Sequence, residues 1–347
     1  MRQIHHLLPR VDRYFKANLH AHSTITDGKL TVETVKEAYR EKGYSILCMT
    51  DHNVVADHSE LNEPDFLMLT GVEINTSQVG FHHRMPAYHL NLIAKRPDLC
   101  WQPFRRAEPK EEALPHLAKA VIGNMSNAYD PEAVNAAIAE ANRQGFLVTY
   151  NHPGWSLHGY KDYAPLKGLW GMEICNFGSM LTGYHDRDNA RVYRDFLELG
   201  NRLVPLGTDD CHRLRDIGGA WVMVGAEKLE YASVIEALEK GNLYASTGPE
   251  IFGLSLEGDT VTVQCSDARS VVLESNIRFA RSAYPASNEG LLREAKLDIS
   301  PWRNAAVRNP EDWFRITVYG PYGHYAATRT YFRDELESIN TEGEPKA

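Results

Sequence analysis

Between Phe15 and Thr247 short apolar runs alternate with segments of helical periodicity. The runs are FKANLHAHS (15–23), YSILCMTDH (44–52), FLMLTGVEI (66–74), YHLNLIAK (88–95), FLVTYNHP (146–153), GMEICNF (171–177) and LVPLGTDDCH (203–212). Most end in polar residues, the pattern of buried parallel strands whose C-terminal ends carry function. Between them, Val32, Val35, Ala38 and Tyr39 share one helical face that Gly43 closes. A second helix is marked over 130–145. Asp130 caps it, Pro131 suits its first turn, Val134, Ala137, Ile138 and Ala141 form its buried stripe, and Gly145 allows a left-handed end.

After Thr247 the period changes. LSLEGDTVTVQC (254–265), SVVLESNIRFA (270–280) and WFRITVYGPYGHYAATRTYF (313–332) alternate in and out, with turns at Gly258-Asp259 and Gly320-Pro321 and no convincing helix. The expectation is an α/β domain over 1–248, a small antiparallel β-sandwich over 249–339 and a polar tail over 340–347. Residues 97–130 read as an irregular insertion or lid. A barrel and an open α/β sheet both fit the first domain at this point.

Composition narrows the function classes. With 43% hydrophobic and 24% charged residues, the 347-residue chain is ordinary globular material. A net charge of −9 argues against a long nucleic acid as partner, since such footprints are basic. Cysteines 48, 100, 175, 211 and 265 form no CxxC pair and read as reduced thiols. MRQIHHLLPRVDRYF lacks an apolar run of signal-peptide length, and no window suits a membrane span, so the expected location is the cytoplasm.

The chemistry is concentrated where the apolar runs end or begin. His20 and His22 share one face of a strand end, because side chains alternate with period two. Asp51-His52, Glu73, His89, His152 and the Asp210–His212 pair mark five further strands. In a parallel β/α arrangement those ends converge on one rim. Imidazoles and carboxylates together suit divalent cations, and two cations about 3.5–4 Å apart suit phosphoryl transfer. His82 and His83 read as surface-loop residues.

The ordered set is specific. His20-Ala-His22-Ser-x-x-Thr-Asp27-Gly-x-Leu, Thr50-Asp51-His52-Asn, Gly71-Val-Glu73, His89-Leu-Asn, Asn151-His152-Pro and Asp210-x-His212 resemble the successive motifs of the polymerase-and-histidinol-phosphatase (PHP) family over residues 15–247. The resemblance implies a distorted (β/α)7 barrel with two or three divalent ions (Zn, Mn or Fe) at its rim. One ion would take His20, His22, Glu73 and Asp210, and a second Asp27, His52 and His212. A third would share Glu73 and add His89 and His152. Asp27 stands where typical histidinol phosphatases carry histidine, which brings the chain nearer the branch acting on nucleotides and short oligonucleotide ends. The strands after residue 248 resemble the immunoglobulin-like modules appended to some members.

The expected activity is hydrolysis of a small phosphoester (nucleotide, oligonucleotide end or sugar phosphate) by a hydroxide held between metals, with Glu73 and Asp210 central. Asp51 would orient a metal-bound histidine. Arg84 and Arg213 are candidates to grip phosphate. Carbamate or ester hydrolysis at the same site is the alternative, and a non-catalytic binding protein a more distant one. Specificity is expected in loops 77–87, 97–130 and 154–168.

Overall fold

The computed structural model describes residues 4–77, 86–105, 108–287 and 289–341. Up to residue 246 the strands are β1 (Ile4–His6), β2 (Phe15–Asn18), β3 (Ile46–Cys48), β4 (Leu67–Leu69), β5 (Gly71–Ser77), β6 (Ala87–Ala94), β7 (Trp101–Gln102), β8 (Val121–Ile122), β9 (Phe146–Tyr150), β10 (Gly171–Asn176), β11 (Val204–Thr208), β12 (Trp221–Val224) and β13 (Leu243–Ser246). Apart from β1, which pairs with a later strand, they belong to two main sheets and one short pair, β7 with β8. One sheet runs β11-β10-β9-β6-β5, and another contains β13-β12-β2-β3-β4.

The expected (β/α)7 barrel is not shown. Among the described residues no hydrogen-bonded ladder closes; the two sheets are linked near the site by the isolated bridges Ala21↔Cys211 and His52↔Glu73. Nor are all strands parallel. β6 runs antiparallel to both β5 and β9, and β12 antiparallel to β2. The apolar run 66–74 is two strands, because the chain passes from β4, paired to β3, into β5, paired to β6.

Apolar side chains from both sheets meet in one core that includes Ala17, Ile46, Leu69, Ile93, Leu147, Leu206 and Val222. Helices cover the outer faces. Val32–Glu41 is capped by the Thr31 hydroxyl, which accepts from the Thr34 N–H, and buries Val35 and Tyr39. Pro131–Gln144 starts at Asp130, whose carboxylate accepts the Ala133 N–H at 3.0 Å, and ends at Gly145 with φ +103°. Both follow the expected capping chemistry. Residues 97–130 differ from expectation. Trp101, Phe104, Ala113 and Leu117 are buried in the core, and Gln102 ties the segment to Asn53 and Val55. The described part of this segment packs as wall rather than lid.

The remaining strands are β14 (Ile251–Glu257), β15 (Thr260–Ala268), β16 (Ser270–Ser275), β17 (Ala280–Ala283), β18 (Leu292–Asp298), β19 (Trp313–Tyr319), β20 (Tyr325–Thr328) and β21 (Tyr331–Phe332). A sheet of order β1-β14-β15-β18 packs on β17-β16-β19-β20 through Leu254, Val263, Leu273, Phe314 and Ile316. β20 also pairs with β13, so the second layer continues into the sheet of the first region. Contrary to expectation a helix, Arg333–Thr341, follows these strands. Arg333 anchors its start by donating to the carbonyl of Trp302 at 2.8 Å, and Leu336 is buried. Residues 342–347 of the expected tail lie outside the described residues. No helix among the described residues is long and apolar enough to cross a membrane.

The ring of Phe314 is fully buried and meets Trp302 edge-on at 5.3 Å. Phe314→Ala is expected to lower the unfolding free energy by about 3–5 kcal/mol. Loss of the helix cap in Asp130→Ala should cost only about 1 kcal/mol. Urea titration checks both; equal losses would contradict this division of roles.

Candidate metal centre

Backbone direction explains how distant residues meet. β2, β3, β9 and β11 end at one edge, delivering His20 and His22, Asp51 and His52, His152, and Asp210 and His212. Because β6 is antiparallel, it begins at that same edge, and His89, opposite Asn75 of β5, arrives from its N-terminal end. Glu73 lies within β5 opposite His52. Asp210 has φ +50° and His152 φ +20°, conformations that L side chains adopt at a cost of about 1–3 kcal/mol and that cluster at functional sites.

The nine residues expected as metal ligands come together. Glu73 Oε1 lies 3.3 Å from His20 Nε2, 3.0 Å from His89 Nδ1 and 3.4 Å from His152 Nε2. Its Oε2 lies 3.3 Å from His22 Nε2 and 3.0 Å from His52 Nδ1. Asp210 Oδ1 is 3.3 Å from His20 Nε2 and 3.2 Å from His22 Nε2. Asp27 Oδ2 is 3.5 Å from His52 Nε2 and 3.3 Å from His212 Nε2. Donor atoms lie within 4.8 Å of one another in four groups: His22-Asp27-His52-His212, His20-His22-Glu73, His20-His152-Asp210 and His52-Glu73-His89. Glu73 Oε1 faces both His89 and His152, as expected of a shared ligand, and His52 joins it through Oε2.

The donor set fits divalent cations. His22 Nδ1, His52 Nδ1, Glu73 Oε2 and Asp210 Oδ1 are buried without a hydrogen-bond partner, an arrangement that is costly unless something charged completes it. Tautomers point the same way. His20 Nδ1 donates to Glu173 Oε1 at 2.7 Å, and His212 Nδ1 to the Asp210 carbonyl at 2.9 Å, so each Nε2 is the nitrogen turned toward the cluster.

Glu173 is the residue that sequence reasoning missed. It is fully buried within β10, and besides His20 it accepts from Thr208 Oγ1 at 2.7 Å and from the His152 N–H at 2.9 Å. Its signal was a lone carboxylate inside the apolar stretch GMEIC. Asp51, expected to orient a histidine, has no hydrogen bond to one among the described residues. It accepts from Ser23 N at 2.9 Å, Ser23 Oγ at 2.8 Å and Thr26 Oγ1 at 2.6 Å, and so fixes the turn that presents Asp27. The Asp209-Asp210 ambiguity resolves by position. Asp209 accepts the N–H groups of Gly218, Gly219 and Ala220, and burial raises its pKa to about 6, while Asp210 faces the imidazoles.

Burial pushes the imidazoles of His20, His22 and His152 down, but neighbouring Asp210 and Glu73 outweigh it. His20 is held well above its usual value, His22 is raised to about 10 and His152 to about 9. At His52 burial wins, aided by His22 and His89, and the value falls to about 3. Burial would raise Asp27, Glu73 and Asp210, yet the surrounding imidazoles hold all three carboxylates below their usual range.

Above the cluster opens a cavity of about 420 Å³. Its walls include Lys29, Trp155, Ser179, Thr182, Arg213 and Arg215. Arg213 thus stands where expected, joined by two cations that sequence reasoning did not single out. Arg84, His82 and His83 lie outside the described residues. Of the expected specificity loops, 154–168 contributes Trp155 to the cavity, whereas nothing described in 97–130 reaches it.

No family model matches the chain. A 5'-3' exoribonuclease from Haemophilus influenzae is 40% identical over 70 residues, which are 19% of this chain and 25% of that protein. The match therefore spans about a quarter of that relative's length. Among solved structures, a two-domain protein from Bacteroides vulgatus containing a predicted PHP-like metal-dependent phosphoesterase aligns over 96% of this chain and 98% of its own, at 17% identity and TM-score 0.43. An amidohydrolase from Chromobacterium violaceum aligns over 56% of this chain and 87% of its own, at 16% identity and TM-score 0.36.

Ligation needs unprotonated imidazole nitrogens, and His22 and His152 hold protons at neutral pH in the metal-free site. Cation uptake should therefore release protons, and apparent affinity should rise with pH between about 6 and 9. Calorimetric titration of Mn or Zn in buffers of differing ionisation enthalpy measures this. A heat independent of buffer would contradict it.

Proposed function

We propose that this protein is a metal-dependent hydrolase of small phosphoesters, with nucleotides and short oligonucleotide ends foremost. The observation that carries the reading is one cavity with an imidazole–carboxylate cluster at its base and Lys29, Arg213 and Arg215 on its wall. Lys29 and Arg213 have no carboxylate partner among the described residues, so their charge is free for an anion; Arg215 lies 3.5 Å from Asp216. A guanidinium matches two phosphate oxygens at once, and Lys29 adds a point charge.

The residues that would hold two or three divalent ions are His20, His22, Asp27, His52, Glu73, His89, His152, Asp210 and His212, a set compatible with Zn, Mn or Fe. When bound, such ions supply Lewis acidity at phosphoryl oxygens and lower the pKa of water. The protein's own part is positional. Glu173 fixes the His20 ring, Asp51 fixes the turn carrying Asp27, and the backbone bend at Asp210 turns its carboxylate inward. Arg213 and Lys29 hold the remaining phosphate charge against the cluster.

The PHP-family reading is supported by all nine ligand positions being filled and gathered in one place. The exoribonuclease match, confined to 70 residues, supports oligonucleotide ends as a substrate class, and the net charge of −9 favours short ones. Strand order β14-β15-β18 facing β17-β16-β19-β20 supports an immunoglobulin-like reading of the C-terminal layers. Carbamate or ester hydrolysis would need no cationic wall, which is why phosphoesters are preferred.

Protein loaded with Mn or Zn should release phosphate from nucleotides or sugar phosphates, or mononucleotides from the ends of short oligonucleotides. Silence across that panel with metal bound would overturn phosphoester specificity in favour of carbamate or ester hydrolysis. Asp210→Ala should abolish turnover and lower metal content while leaving the circular dichroism unchanged. Arg213→Ala should raise KM by roughly tenfold or more, the effect of removing a charged hydrogen bond of about 1.5–3 kcal/mol. Retained turnover in Asp210→Ala would contradict the role of the cluster.

A further inference from the structure

Trp155 is an unusual wall for a cavity built around charge. The residue is 38% exposed and lines the cavity beside Gly178, Ser179 and Thr182. Its ring packs at 4.8 Å from His89 and 5.1 Å from His152, with Tyr184 at 6.5 Å. The indole N–H has no hydrogen-bond partner among the described residues.

The ring is held in place before any ligand arrives. The N–H groups of Gly154 and Trp155 donate to the two oxygens of buried Asp186, at 2.7 and 2.8 Å. Ser179 Oγ and Asn189 Nδ2 brace the same carboxylate. A Cβ on Gly154 would sit 2.9 Å from it, so the close approach requires glycine there. Ser156 N–H donates to the His152 carbonyl at 3.0 Å, closing the turn. An exposed aromatic on a loop braced this way loses little freedom on binding.

We propose that Trp155 is the platform on which the nucleobase of a nucleotide substrate stacks, which makes it a specificity-determining residue; this rests on the phosphoesterase reading. The ligand the cavity fits carries an anion, for Lys29 and Arg213, and a planar π face, for Trp155. A volume of about 420 Å³ falls in the ~300–1,000 Å³ range of small-molecule sites. Since every base has a π face, stacking on one indole selects for the presence of a base rather than its identity.

The test is equilibrium binding by calorimetry to metal-loaded protein of two phosphonates, isosteres of adenosine 5'-phosphate and ribose 5-phosphate in which CH2 replaces the ester oxygen. Wild type should bind the adenosine compound roughly tenfold or more tightly than the ribose compound. Trp155→Ala should bring that ratio close to one, and Trp155→Phe should restore most of it. Equal binding by wild type, no binding of either compound, or a ratio unchanged in Trp155→Ala would overturn the proposal. So would an equal loss for both compounds, which would mean that Trp155 only supports His89 and His152. Hydrolysis across the phosphoester panel, read as phosphate from nucleotides and sugar phosphates or mononucleotides from short oligonucleotides, is scored separately. A preserved ratio without hydrolysis would defeat the phosphoesterase reading and leave the stacking platform standing; hydrolysis with a ratio of one would defeat the platform alone.

Discussion

Glu73 is a fully buried carboxylate with five imidazole nitrogens within 3.4 Å of its two oxygens. Removing such a charge from water costs several kcal/mol, and the cost is met only by close opposite charge with good geometry. Protonated imidazoles can supply that charge, and so can cations. The imidazoles alone leave Glu73 Oε2 and Asp210 Oδ1 without a hydrogen bond and set two histidine nitrogens, His20 Nε2 and His22 Nε2, 3.1 Å apart. Bound cations relieve both defects at once, since they attract the carboxylates and the ring lone pairs together.

The surrounding fold is arranged to keep that cluster in register. Three further buried carboxylates stand behind it and tie down the segments that carry it. Glu173 holds His20 and the backbone of His152, Asp186 holds the turn of Gly154 and Trp155, and Asp209 holds residues 218–220. Each accepts several hydrogen bonds, so each satisfies its own burial while fixing a neighbour. Charge in the lining is then divided between an anionic base and a cationic wall. That division joins cation binding below to phosphate binding above.

Much of this was legible in the residues, because metal ligation and helix capping leave local marks. His20-Ala-His22 and Asp210-x-His212 announce themselves by spacing, and Asp130 with Gly145 brackets its helix. Non-local features left weaker traces. The direction of β6 depends on pairing with β5 and β9, and nothing in YHLNLIAK encodes it. The run 66–74 gave no break at Thr70, since both of its strands are apolar. Glu173 hid because its strand is otherwise a continuous core segment. Asp51 reads in the sequence as a partner orienting a histidine, but the chain turns so that its carboxylate meets Ser23 and Thr26. The helix Arg333–Thr341 has only a short apolar stripe and is anchored by tertiary contacts of Arg333.

The central claim is that Glu73 is the shared centre of a multi-cation site. It is tested most directly by counting divalent ions per chain by elemental analysis, after loading with Mn or Zn and exhaustive dialysis, in wild type and in Glu73→Ala. Wild type should retain about two to three ions, with at least one lost in the variant while the fold persists. A wild-type chain that retains no ion, or a Glu73→Ala chain with undiminished metal, would contradict it.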